Sequence, residues 1–250
     1  MRVLITGAAG QIGKEIVEEL SSSHDLCLLD RRPVPGRSSI IADLAQARTA
    51  SGWKRWFKSK ASRWSDSFAG VDIVLHLAAY IRNDAPWPRV LPDNIQATWN
   101  VLEAAAQHKV RRVVFASSNW AVKALEWSLA PACYLPDGPK IGSQAPPNPI
   151  APYGASKAFG ELVGRMFVDE RRLDSFIAVR IGSYHLHPPQ AQEVRQRWIG
   201  ADDLRSLLRR CIEVDCEGFH VVYGVSAQPS APYDLSYTRR LLSWEPQQLL

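Results

Sequence analysis

The chain has 250 residues, 46% hydrophobic and 22% charged, a balance that suits a sizeable core and excludes a largely disordered chain. No apolar run is long enough to span a bilayer as a helix. The formal net charge of +5 does not by itself decide between an anionic small molecule and a nucleic acid; the motifs below favour the small molecule.

Residues 3–6 form a short apolar run ending in glycines, and residues 11–20 have helical periodicity. Residues 26–29 read as a second buried strand ending at Asp30, and residues 39–42 as a third, closed by Asp43. Residues 53–68 place Trp53, Trp56, Phe57, Trp64 and Phe68 at helical spacing with Lys54, Arg55, Lys58 and Arg63 between them. Such a stripe can lie on an anionic membrane, but its crossover position favours packing on a sheet with the cations in water. Strands are expected over 71–77 and 110–115, with a helix over 94–108 between them. A helix over 153–170 and a strand over 176–181 follow, then an irregular stretch, a helix near 202–214 and a strand near 219–225.

This alternation argues for an α/β doubly wound parallel sheet in one domain spanning 1–250. Residues 1–180 are expected to bind a dinucleotide, and residues 181–250 to be mainly a small substrate-binding cap. The four cysteines show neither C-x-x-C nor zinc-ligand spacing, so reduced thiols are expected. The chain runs at once into a buried strand with no secretory layout, so a cytoplasmic setting is expected.

Two constellations carry chemistry. Gly7, Gly10, Gln11, Ile12 and Gly13 follow the first strand and open the first helix, where backbone amides can approach a pyrophosphate. Asp30, at the end of the second strand, is placed to accept hydrogen bonds from a ribose and to repel a 2′-phosphate. Arg31 and Arg32 could hold such a phosphate, yet the acidic residue favours NAD over NADP. The second constellation is Tyr153 and Lys157, one helical turn apart on one face. A cation beside a phenol favours the phenolate, so the pair can take the proton of a substrate alcohol while its hydride leaves for a nicotinamide.

These motifs resemble the extended short-chain dehydrogenase/reductase group, the NAD-dependent epimerase/dehydratase family. The likeness rests on TGAAGQIG, Asp30, Ala42-Asp43-Leu44, His76-Leu77-Ala78-Ala79, Asn94-Ile95, Phe115-Ala116-Ser117-Ser118 and YGASK. It implies a Rossmann fold in which Asp43 and Leu44 flank the adenine, Leu77, Ala78 and Ala79 line the cofactor path, and Asn94 belongs to the cofactor site. It also implies that Ser118 orients the reacting oxygen toward Tyr153 and that Lys157 holds the nicotinamide ribose. Within the family, ASSN, YGASKAFGE, VRIGS and Trp198 ahead of Asp202-Asp203 are similar to uronate dehydrogenases, which oxidise C1 of a hexuronate to a lactone. Trp120 stands where those enzymes usually have histidine, and Glu193 falls at the count of their carboxylate-binding arginine, with Arg195 and Arg197 close by.

The resulting expectation is an NAD-dependent dehydrogenase of a small sugar or sugar acid, with Ser118, Asn119, Tyr153, Ser183, Arg195 and Arg197 at the substrate. The region after Arg180 is short for a nucleotide-sugar site. Two other readings are an epimerase that retains its NADH and a cofactor-binding regulator without chemistry. His185 and His187 are expected to be loop residues without a metal, and His76 to make a structural hydrogen bond. The helix over 94–108 could supply a homodimer interface; no nucleic acid, membrane or metal is expected.

Overall fold

The computed structural model describes residues 1–46 and 64–249. Its main sheet has seven parallel strands: β1 (Arg2–Thr6), β2 (Asp25–Asp30), β3 (Ile40–Ile41), β4 (Ile73–His76), β5 (Arg112–Ser118), β6 (Ser175–Ile181) and, across a smaller two-stranded sheet, β9 (Gly218–Gly224). That smaller sheet pairs β7 (Ser183–Tyr184) with β8 (Trp198–Ile199). The order β3-β2-β1-β4-β5-β6-β9 reverses between β1 and β4, and the crevice at such a reversal is where open α/β sheets bind ligands.

The strands read as continuous apolar runs because both faces are covered. Val3 and Ile5 face one layer, with α1 (Gln11–Leu20) and α7 (Ala201–Glu213), while Leu4 faces the other, with α3 (Ala97–Gln107) and α5 (Pro152–Asp169). At roughly 25 cal/mol per Å² of apolar surface buried, these two layers are the main source of stability.

The expected strands and helices are present with shifted ends. The strand expected over 71–77 is the shorter β4, and β5 runs on to Ser118. The helix expected over 94–108 begins earlier: α2 (Trp87–Val90) leads through a π turn over Leu91–Gln96 into α3. Pro92, inside that turn, lacks the N–H that a regular helix would use there.

Part of the chain beyond 180, expected to be mainly cap, packs with the main sheet. Strand β9 joins the main sheet beside β6, and Leu204, Leu207 and Leu208 of α7 lie in the same core as α1. Outside the sheet and its two layers lies a smaller set: residues 119–151, β7, β8, α6 (Gln192–Arg195) between them, and residues 225–235, while Leu242 and Trp244 return to the core of α1 and α7. Of the aromatic stripe, residues 53–63 lie outside the described residues; Trp64 and Phe68 sit in a short 3-10 turn, with Phe68 buried against α3. Cys27, Cys133, Cys211 and Cys216 are all free thiols.

Candidate active site

The end of β1 turns sharply at Gly7, whose φ is +73°, a region that only glycine adopts without strain. A Cβ there would lie 2.7 Å from the Ala78 nitrogen, and one on Gly13 would lie 2.3 Å from the Gly7 carbonyl oxygen. The turn therefore lies directly against the segment that follows β4, and the start of α1 lies directly against the turn. Gly10 stands at the N-cap in extended conformation with no side chain to cap the helix, so its first amides remain available to an anion.

Beyond this turn opens a cleft of about 1020 Å³, lined by Gly7, Gly10, Gln11, Ile12 and Gly13 at one end and by Ser118, Asn119, Tyr153 and Lys157 at the other. Leu44, Leu77, Ala78 and Ala79 line it between. The Asp30 carboxylate sits at the cleft wall and accepts hydrogen bonds from the Ala9 amide at 3.0 Å and the Arg32 amide at 2.9 Å. Glycines placed where a Cβ would collide, free helix-end amides and a fixed carboxylate match the shape and charge of a dinucleotide.

Ser118 ends β5, and its hydroxyl donates to Asn119 Oδ1 at 3.2 Å and accepts from the Trp120 amide at 3.2 Å. Tyr153 enters in the first turn of α5, behind Pro152, whose fixed φ suits that position. One turn on, Lys157 Nζ donates to the Ala116 carbonyl at 2.7 Å. Two strand residues and two helix residues thus meet at one corner of the cleft.

The electrostatics differ from the expectation that Lys157 lowers the Tyr153 pKa. Burial pushes the Tyr153 phenol up to about 12, against a lowering influence of the neighbouring Ser118 hydroxyl. Burial also pulls the Lys157 ammonium down to about 7. Lys157 Nζ lies 5.7 Å from the centre of the Tyr153 ring and 5.0 Å from that of Phe115. The loss of water around two enclosed groups sets both shifts, each toward its neutral form.

His76 is structural, as expected: Thr6 Oγ1 lies 2.7 Å from its Nδ1 and Thr98 Oγ1 3.2 Å from its Nε2. Burial, helped by Lys157, lowers its pKa to about 3, so the ring stays neutral.

Four expected site residues do not face the cleft. The Asn94 amide is used up on protein: Oδ1 accepts from the Tyr80 amide at 2.7 Å, and Nδ2 donates to the Tyr80 carbonyl and to Ser156 Oγ. It ties the loop after β4 to α5. Asp43 accepts from the Ala45 amide and from Arg31, its neighbour Leu44 being the residue that lines the cleft. Arg195 is exposed on α6, away from the cleft. Arg197 is held by the buried carboxylate of Glu126 at 2.7 Å and by the Tyr134 hydroxyl at 3.2 Å, so it turns under the site.

Asn119 and Ser183 do line the cleft, and the Asn119 Nδ2 is buried with no partner in hydrogen-bond geometry, the Tyr233 hydroxyl being its neighbour. His185 also lines the cleft, while His187 is exposed outside it. No group of three metal-binding side chains occurs among the described residues. Trp120, noted above as a departure, also lines the cleft, and the motif reading did not name Tyr80, Tyr184, Arg89 and Asp93, which line it too. These four come from a loop, from elements of two and four residues and from the π turn, all too short to show a periodic pattern.

Comparison with known proteins agrees with this geometry. Residues 3–184 match the NAD dependent epimerase/dehydratase family. An NAD-dependent glucose-6-phosphate dehydrogenase from Haloferax volcanii is 33% identical, the alignment covering 98% of this chain and 92% of that protein. A uronate dehydrogenase from Agrobacterium fabrum is 31% identical over 98% of this chain and 84% of its own length. Among solved structures, the uronate dehydrogenase of Agrobacterium tumefaciens superposes with a TM-score of 0.78 at 29% identity, covering 99% of this chain and 84% of that one. A mutant of that enzyme complexed with NAD has a TM-score of 0.77 over the same shares.

Proposed function

Because the chain belongs to the NAD dependent epimerase/dehydratase family, we propose that it oxidises a small free sugar or sugar acid at a ring C–OH, with C1 oxidation to a lactone as the leading case. The chain is an NAD-dependent oxidoreductase with a Rossmann fold, and its relatives act on sugars and sugar acids: glucose 6-phosphate, L-arabinose and uronates. The observation that carries the proposal is the convergence of Ser118, Tyr153 and Lys157 on the same cleft as the glycine turn.

Bound NAD supplies the hydride acceptor. The Ser118 hydroxyl holds the reacting substrate oxygen, and the Tyr153 phenolate oxygen takes its proton as the C–H pair departs. Lys157, fully enclosed beside them, favours the phenolate whenever it carries its proton, and the same ammonium is placed for a ribose hydroxyl. The Asn119 Nδ2 supplies a further donor to substrate. A cytoplasmic setting and pairing of two copies through α3 and α5, where Leu162 is exposed, belong to the same reading.

The test is a panel of free aldoses, uronates, sugar phosphates and nucleotide sugars, scored by net NADH formation. Tyr153→Phe is expected to lower kcat by about 10²–10⁴ while NAD affinity stays within a few fold. Undiminished turnover in that variant rules the mechanism out. Tightly retained cofactor without net NADH release would instead identify an epimerase.

A further inference from the structure

Arg31 follows Asp30 directly and lines the same cleft, where its guanidinium is the nearest cation to offer a 2′-phosphate, yet that guanidinium is already paired. Its Nη2 reaches Asp43 Oδ1 at 2.8 Å and Asp93 Oδ1 at 2.5 Å. Asp93 is only 9% exposed and comes from the π turn Leu91–Gln96, on the far wall of the cleft. Its other oxygen forms an ion pair with Arg89 Nη2 at 3.0 Å, and the Arg89 guanidinium lies over the Tyr80 ring at 5.2 Å. One carboxylate therefore holds two guanidiniums at the end of the cleft where Asp30 sits. The other nearby guanidinium, Arg32, turns back to the Ala9 carbonyl at 3.3 Å.

We infer that Asp93 is a determinant of dinucleotide choice: by holding Arg31 and Arg89 it denies a 2′-phosphate its counter-charge and leaves Asp30 as the group that such a phosphate meets. Asp30 repels the extra phosphate, and Asp93 keeps the nearest cation from offsetting that repulsion. A paired guanidinium gains little by exchanging one bidentate-capable anion for another. The π turn matters because its inserted residue carries Asp93 toward the cleft while α3 continues in register. The raised pKa of Arg31, caused first by its hydrogen bond to Asp93, has the same origin.

The inference rests on the NAD-dependent reading and concerns binding, so it is tested without turnover. Dissociation constants for NAD and NADP are measured by titration calorimetry on the wild type, on Asp93→Asn, and on Asp93→Asn combined with Arg31→Ala. Asp93→Asn keeps the shape and removes the charge; affinity for NADP relative to NAD is expected to rise about ten-fold. The added Arg31→Ala is expected to cancel that rise. An unchanged ratio in Asp93→Asn overturns the inference, as does a gain that survives loss of Arg31. Should Asp93→Asn fail to fold by circular dichroism, Asp43→Asn removes the other half of the clamp and carries the same expectation. If neither dinucleotide binds the wild type, the NAD-dependent reading itself falls; if both bind with the ratio unmoved, only the role of Asp93 does.

Discussion

Lys157 is an ammonium enclosed by Phe115, Tyr153 and the Ala116 carbonyl, and its titration has a measurable consequence for folding. Its pKa falls from 10.5 to about 7 on burial. Between those values the unfolded chain binds a proton that the folded chain does not, so stability rises with pH across that window. Tyr153, raised from 10.0 to about 12, acts in the opposite direction, but only above the tyrosine's unfolded value. Lys157→Met keeps the packing and removes the titration. Wild type minus variant, compared by urea unfolding at about pH 7 and about pH 9, is expected to grow by on the order of 2 kcal/mol. The hydrogen bond to Ala116 titrates with the same group, so its pH-dependent part is already contained in the folded-state pKa. Parallel stability curves would show that the ammonium is not desolvated as described. The residue types at the site were legible in the sequence, because YGASK and the serine pair are local patterns. The direction of the Tyr153 shift was not, since it depends on how completely β4, β5 and α5 exclude water.

Helix α5 brings Tyr153 and Lys157 to Ser118 by lying very close to the sheet, and glycines make that approach. A Cβ on Gly154 would come within 2.4 Å of the Trp120 carbonyl oxygen, and one on Gly160 within 2.3 Å of the Phe115 ring. The Gly154 contact is with backbone at the wall of the site, so it cannot yield by a rotamer change. Gly154→Ala is expected to cost about 1–3 kcal/mol of stability and to move Tyr153 away from Ser118. Its kcat should fall more than ten-fold while NAD affinity, fixed at the glycine turn, changes little. A thermal melt with steady-state kinetics checks both; a variant with lowered stability but normal kcat would detach the helix position from catalysis. Periodicity revealed α5, since its apolar positions recur at helical spacing. The π turn before α3 escaped it, because one inserted residue shifts the period over too few residues to be read. Strand β9 was visible as a strand, but nothing local specifies that it completes the main sheet beside β6 rather than a cap.

At the scale of the molecule, the substrate side is held together by Glu126, which joins segments far apart in the chain. One oxygen accepts from Lys123 Nζ and the Tyr134 hydroxyl, each at 2.5 Å, and from Arg197 Nη1 at 2.7 Å. The other accepts from the Tyr233 hydroxyl, whose ring stacks on Tyr223 at 4.6 Å. Arg197, expected at the substrate, is instead paired with Glu126, a partner 71 positions away in the chain and beyond the reach of any local pattern. Burial raises the Glu126 pKa, but Lys123 and Arg197 more than offset it and hold the carboxyl below its usual value of 4.5. A carboxylate with a depressed folded pKa contributes stability above its unfolded pKa and loses it as pH falls through the folded one. Glu126→Ala would leave two enclosed cations without their anion, at a cost of about 3–5 kcal/mol. Glu126→Gln keeps the shape and part of the hydrogen bonding, so it is expected to cost less and to flatten the acid limb of the stability curve. Because the network lies behind Asn119 and not at the glycine turn, Glu126→Gln should raise KM for substrate while leaving the NAD dissociation constant unchanged. Urea midpoints followed from neutral to acid pH, with both constants measured on the same variant, decide the matter. An acid limb as steep as that of the wild type, or an equal loss of NAD affinity, would remove Glu126 from this role.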